Sequence, residues 1–158
     1  MKVLVAFDGS NSSIKALTAG IKLVKTLGGE LKYVYVANIG DMHHHDLLGE
    51  AQFRETLESL KEQGKDVKDL LNERGWRVIE IANLCLKDSG VEAQEIIRVG
   101  PPAEEIVNAA REEGADLLVL GVNSKQPELT GNVVREVLEN SPSSILAVAQ
   151  NWATVVVK

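Results

Sequence analysis

Apolar residues along this chain recur with two periods. Short β-branched runs, bounded by glycine, aspartate, asparagine or serine, read as strands: residues 2–7 (KVLVAF), 30–37 (ELKYVYVA), 91–99 (VEAQEIIRV), 115–121 (ADLLVLG) and 143–150 (SSILAVAQ). Between them the spacing turns helical. Ile14, Leu17, Ile21 and Val24 share one face of a helix that Ser10 or Ser12 can cap and that Gly28-Gly29 ends. After the turn Gly100-Pro101-Pro102, a proline suits the first turn of a helix that carries Ala103, Ile106, Val107 and Ala110 inward. A last helix is expected from about Gly131 to Asn140. The ADLLVLG run has almost no polar interior, so both of its faces are covered.

The alternation breaks once, after the second strand. Residues 38–50 read as a loop, and 51–63 as a short amphipathic helix with Phe53, Leu57 and Leu60 on one side. A longer helical stretch over 65–87 follows, with Val67, Leu70, Leu71, Val78, Ala82 and Cys85 aligned and a kink or break allowed at Gly75. Strands alternating with helices predict an α/β fold: an open, mainly parallel five-stranded sheet with helices on both faces. Residues 153–157 (ATVVV) offer a further C-terminal strand, either across a partner or folded back on their own sheet. The 158 residues suit one domain, with 38–64 as an insertion and 151–158 as an extension.

Charge narrows the partners. With 17 basic and 23 acidic residues the formal charge is -6, which argues against nucleic acid or an anionic membrane as the main partner. The single cysteine, Cys85, excludes an intrachain disulfide and fits a reducing cytoplasm. Asp8 interrupts the first apolar run, so no signal peptide is expected, and no run reaches membrane-spanning length.

Ligands of parallel sheets bind at the carboxyl ends of strands, where the strand order reverses. The residues to weigh are Asp8-Gly9-Ser10, Val36-Ala37-Asn38, Gly100-Pro101 and the segment from Gly121 to Asn132. Asp8 can accept hydrogen bonds from a ribose or an adenine amino group, or close an Asx-turn before the first helix. Gly121 lets backbone approach a ligand. Gly131-Asn132 would open a helix whose free N–H groups suit phosphate, while Asn132 is equally a plain N-cap. Lys125 is the only cation in that loop, set against Glu128, and neither G-x-x-x-x-G-K-[ST] nor G-x-G-x-x-G is present. His43, His44 and His45 are weak candidates for a metal and read more readily as a polar loop, which could also cover a ligand site. No acid–base pair or nucleophile stands out: Cys85 reads as core, Glu104-Glu105 and Glu112-Glu113 as solvated helix faces, and Trp76 and Trp152 as packing or interface residues.

Four segments, KVLVAFDGSNSSIKAL, ELKYVYV, IIRVGPPAEEIVNAAREEGADLLVLG and TGNVVREVLENSPSSILAV, together resemble the universal stress protein family. The resemblance implies a Rossmann-like fold of the adenine nucleotide alpha hydrolase type. It also implies a homodimer through the last strand, Ile145 to Gln150, with Trp152 to Val157 as an extra strand across the partner. Nucleotide-binding members carry G-x-x-G, nine residues, then G-S or G-T. Carried across, Asp8 and Val36, with Ala6 beside them, would line an adenosine site. Gly121, Asn123, Ser124, Gly131, Asn132 and Val133 would follow the phosphates of ATP or another adenine nucleotide, with Mg2+ as companion. This chain departs from the pattern. Ser124 replaces the second glycine, Asn123 stands where an arginine is common, Asn132 replaces serine or threonine, and six residues rather than nine separate Ser124 from Gly131. Three readings follow: a nucleotide-binding regulatory module with at most slow ATP hydrolysis, an interaction module for an unidentified protein partner that has lost the nucleotide, and, far behind, a metal-assisted hydrolase using His43 to His45.

Overall fold

Residues 1–43, 55, 57–59, 62–64, 66–122 and 127–149 are described by a computed structural model. The first strand, β1 (Lys2–Ala6), alternates: Val3 and Val5 point to one face and Leu4 to the other, all buried. Helix α1 (Asn11–Leu27) starts where the Ser10 hydroxyl accepts from Ser13 N–H, and ends at Gly28. Four further crossover-related elements repeat the theme: β2 (Glu30–Ala37), α2 (Glu73–Leu86), β3 (Ala93–Val99) and α3 (Pro102–Glu113). Strand β4 (Leu117–Val122), helix α4 (Pro127–Asn140) and strand β5 (Ser144–Ala149) complete the order. All strand pairs are parallel, in the order β3-β2-β1-β4-β5. The expected five-stranded parallel sheet is therefore present, and the chain reverses direction across the sheet between β1 and β4.

Helices cover both faces. Val3, Val5, Phe7, Tyr33, Val119 and Val148 form one core with α1 and with Ala82 of α2. Leu4, Val34, Leu118 and Leu120 form the other with Ala103, Ile106, Val107 and Ala110 of α3 and Val137 of α4. Each fully buried leucine or valine contributes about 1.5–3 kcal/mol, so the two layers hold the sheet from opposite sides. Among the described residues no helix is long and apolar enough to cross a membrane.

A third cluster lies beyond β2 and gathers the insertion: Tyr35, Ala37, Met42, Leu57, Val67, Leu71 and Ile79. Met42 and Leu71 form an isolated antiparallel bridge, and His43 N–H donates to the Leu70 carbonyl at 2.8 Å. The stretch expected as one helix over 65–87 is thereby divided. Val67–Leu70 is a short 3-10 turn capped by Asp66, Leu71 is extended, and α2 begins only after Asn72. Asn72 explains the restart, because its side chain accepts from Arg74 N–H and Gly75 N–H while donating to the Gly40 and Met42 carbonyls. Gly75 is no break. A Cβ there would lie 2.7 Å from Leu71 Cδ2 and 2.8 Å from the Asp41 carbonyl, so glycine admits the close packing of the clasp.

Helix α4 also differs from expectation. It begins at Pro127, so Gly131 and Asn132 lie within it rather than opening it. A proline is pre-set for a first helical position, which accounts for the earlier start at Pro127. The amphipathic helix expected over 51–63 falls mostly outside the described residues, as does the C-terminal 153–157 run.

Candidate functional site

At the carboxyl ends of β1, β2 and β4, where the strand order reverses, the structure holds a cleft of about 360 Å³. Its walls are largely apolar: Ala6 and Val36 from the sheet, Pro102 and Ile106 from the start of α3, and Val133 and Val134 from α4. Asp8, Ser10, Ser12, Ser13 and Asn38 supply its polar side chains. A larger, open depression of about 730 Å³ lies at the amino ends of β2 and β3, lined by Lys25, Glu30, Lys32 and Glu92 among others. Its position, away from the crossover loops, gives it no comparable claim.

Most of the polar groups in the cleft serve α1. Asp8 Oδ1 accepts from Ser10 N–H at 2.9 Å, which is the Asx-turn weighed from the sequence. Ser10 Oγ caps the helix, Ser13 Oγ donates to the Ser10 carbonyl at 2.9 Å, and the Ser10 and Ser12 hydroxyls meet at 3.2 Å. Asp8 is exposed and lines the cleft, and among the described residues its hydrogen bond as an acceptor uses Oδ1 alone, so closing the turn does not remove its capacity to bind.

Gly121 also serves the scaffold. A Cβ there would stand 2.2 Å from the Ser12 carbonyl oxygen and 2.9 Å from Ser13 N, both backbone atoms of the start of α1. The glycine lets the end of β4 pass against that helix and so closes one side of the cleft.

Behind Asn38 sits a carboxylate that sequence reading passed over as part of a polar tract. Asp41 is 6% exposed. Its Oδ2 accepts from the Tyr35 hydroxyl at 2.6 Å and from Asn38 N–H at 3.2 Å, and Arg74 Nε lies 3.7 Å from Oδ1. Burial and then the hydrogen bond to Asp41 hold the Tyr35 hydroxyl well above its ordinary pKa, so it stays a donor. The signal in the sequence was a lone Asp three residues after an Asn, a capping-box spacing, but its partners Tyr35 and Arg74 come from other elements.

Among the sequence-derived candidates, Ala6, Asp8, Val36, Gly121 and Val133 come together around this cleft. Asn123 and Ser124 lie outside the described residues, and of Gly131 and Asn132 the structure gives the backbone within α4. His43 is exposed at the end of the clasp, and His44 and His45 fall outside the described residues. Among the described residues no group of three histidine, cysteine, aspartate or glutamate side chains could hold a metal ion. No Lys or Arg appears in the described lining. Arg98, which pairs in register with Val36, is held by Glu105 at 3.3 Å and by Glu112.

A model of the universal stress protein family matches residues 1–149. Universal stress protein YxiE of Bacillus subtilis is 30% identical over 150 residues, covering 93% of this chain and 97% of its own. Universal stress protein MJ0577 of Methanocaldococcus jannaschii is 30% identical over 155 residues, covering 93% of each chain. Among solved structures, a universal stress protein in complex with cAMP superposes with a TM-score of 0.63 at 21% identity, over 95% of this chain and 97% of its own.

Proposed function

Because the chain belongs to the universal stress protein family, we propose that it is a stress-response module that binds an adenine nucleotide in the cleft between β1 and β4. One observation carries this: an apolar slot at the strand-order reversal, with the exposed carboxylate of Asp8 at its rim. A flat base fits between Ala6, Val36, Ile106 and Val133, and Asp8 can accept from a ribose hydroxyl. That relatives of the same fold were solved with cAMP and, from Archaeoglobus fulgidus, with dAMP is consistent with this use of the slot.

The lining fits the nucleoside better than three phosphates, since it contains no cation among the described residues. Phosphates would run toward 123–132, where Lys125 and the amino end of α4 stand in sequence. The shortened arm and the early start of α4 favour a second reading for this part: a module that has kept the fold and works through protein contacts. In either case the position of β5 at the edge of the sheet among the described residues supports a homodimer through residues 145–150, which sedimentation of the purified protein as a monomer would refute.

Calorimetric titration of dialysed protein with Mg-ATP and with AMP, against Mg-GTP as control, tests the main reading. Saturable heat with the adenine nucleotides alone supports it. AMP binding without a gain from ATP would assign the nucleoside slot but no phosphate arm. No heat from any nucleotide, with no thermal stabilisation at millimolar concentration, would leave the protein-contact reading.

A further inference from the structure

Between β2 and α2 the chain leaves the sheet and returns, and one residue staples the outgoing end to the returning one. The Asn72 side-chain amide donates to the Gly40 carbonyl at 2.8 Å and to the Met42 carbonyl at 3.2 Å, while its oxygen accepts from Arg74 and Gly75 N–H at the start of α2. Both hydrogens and both lone pairs of the amide are thus engaged. The Asn72 backbone N–H donates to the Asp41 carbonyl at 2.9 Å. The Met42–Leu71 bridge and the bond from His43 N–H to the Leu70 carbonyl continue this clasp outward. An isolated bridge, outside the five-stranded sheet, opens locally at lower free energy than the sheet itself.

The clasp reaches two sides of the cleft. On one side Asp41 links it to Asn38, a lining residue. Asp41 takes the Asn72 N–H on its carbonyl and the Asn38 N–H on its carboxylate at 3.2 Å, and returns its own N–H to the Asn38 carbonyl at 2.9 Å. There is no slack here, since a Cβ on Gly75 would stand 2.8 Å from the Asp41 carbonyl oxygen. On the other side α2 runs beside the turn that carries Asp8 and Ser10: a Cβ on Gly9 would lie 3.6 Å from both Val78 Cγ2 and Ile81 Cδ1. Helix α2 therefore backs the ends of β1 and β2 at once, and Asn72 both caps it and fixes it to the exit from β2. Withdrawing Asn72 takes the donors from the Gly40 and Asp41 carbonyls and the acceptor from the first helical N–H groups, so the 39–41 turn and the start of α2 loosen together.

We propose that this clasp is a conformational device coupled to the cleft: the closed clasp holds the nucleotide and the open clasp releases it; this rests on the nucleotide reading above. By linkage the effect runs both ways, so a bound ligand closes the clasp by the same factor as opening weakens the ligand. Because the two sides of the clasp are the two ends of the insertion, a partner that spreads them lowers affinity in the cleft without entering it.

Amide hydrogen exchange of the wild-type chain, with and without AMP, measures the coupling. The His43 and Asn72 amides should exchange faster than those of β1, the mark of local opening. AMP at about ten times its own dissociation constant should slow both by about tenfold. Calorimetry on two variants, with thermal melts as a fold control, gives the reciprocal effect. Asn72→Ala should lower AMP affinity by about fivefold or more, although Asn72 is not among the residues of the lining. Asn72→Asp, which still caps α2 but cannot donate to the Gly40 and Met42 carbonyls, should do the same and so separates the clasp from the cap. The exchange measurement decides even where a variant fails to fold. His43 and Asn72 amides that exchange no faster than β1, or at an unchanged rate when AMP is bound, would overturn the coupling and leave the nucleotide reading standing. A folded Asn72→Asp with wild-type affinity would do the same. A wild type that binds no AMP would end both.

Discussion

Gly121 separates scaffold from ligand contact, and Gly121→Ala measures it. The added methyl would sit 2.2 Å from the Ser12 carbonyl oxygen, 2.4 Å from its carbon and 2.9 Å from Ser13 N. These are backbone atoms, so no side chain can swing away. Relief to an ordinary contact requires the start of α1 to retreat by roughly 1 Å from the end of β4, against the burial of Ser13, Ala16 and Leu17 on the sheet. Overpacking of this kind costs about 1–3 kcal/mol, and a backbone clash belongs at the upper end, about 3 kcal/mol. For a chain of this size that lowers the melting temperature by about 6–12 °C. Gly40→Ala is the matched control. Among the described residues its Cβ would meet only Arg74 Nη1, at 3.7 Å, and the change should stay within about 0.5 kcal/mol. Urea unfolding of the two variants beside wild type gives the comparison. If Gly121→Ala unfolds at the same midpoint as Gly40→Ala, the close approach of β4 to α1 is wrong. If it is destabilised, any loss of nucleotide affinity follows from a displaced wall, because Asp8 and Ser10 move with the helix start.

Three further outcomes are expected. Asp41→Ala leaves the Tyr35 hydroxyl and Asn38 N–H without their buried acceptor and should cost about 2–4 kcal/mol by urea unfolding; a loss under about 0.5 kcal/mol would mean the carboxylate is not a structural hub. Leu57→Ala should cost about 2–3 kcal/mol, because Leu57 is only 5% exposed within the third cluster; a surface-like change would detach the insertion from the domain. The chain's two tyrosines, Tyr33 and Tyr35, are both held above their ordinary value of 10.0, chiefly by burial, so the stabilisation they contribute is complete below pH 10 and declines as pH rises beyond it, where only the unfolded chain ionises. Tyrosinate absorbance should therefore rise together with loss of the far-ultraviolet signal; phenolates forming near pH 10 in a folded protein would refute it.

The strands and α1 were legible because burial on a two-sided parallel sheet leaves unmixed apolar runs, and because Ser10 and Gly28 punctuate the first helix. The location of the cleft was equally legible. Asp8, Val36 and Gly121 each follow or end a strand, and the reversal between β1 and β4 brings those ends together. What was not legible depended on distant partners. Leu70 and Leu71 fit a helical face as well as they fit a clasp, and only pairing with Met42 and His43 decides between them. Gly131-Asn132 resembled a helix start, and Pro127-Glu128 offered an earlier one with an equal physical basis. Asp41 looked like solvent-facing charge because neither Tyr35 nor Arg74 is its neighbour on the chain until the fold is closed. Gly121 had two meanings in sequence, and the backbone of Ser12 supplies the structural one.

The position of β1 has a consequence for synthesis. This strand pairs with β2 soon after it is made, but its other neighbour, β4, lies 114 residues downstream in the register Val3 to Leu117. At ribosomal rates of about 5–20 residues per second, the growing chain waits roughly 6–20 s with the future centre of its sheet still an open edge. During that interval Val3 and Val5 are a strand template available to any neighbouring nascent chain, and the cleft has no second wall. The chain is therefore most exposed to aggregation until the residues around Leu117 have been made and can cover that edge.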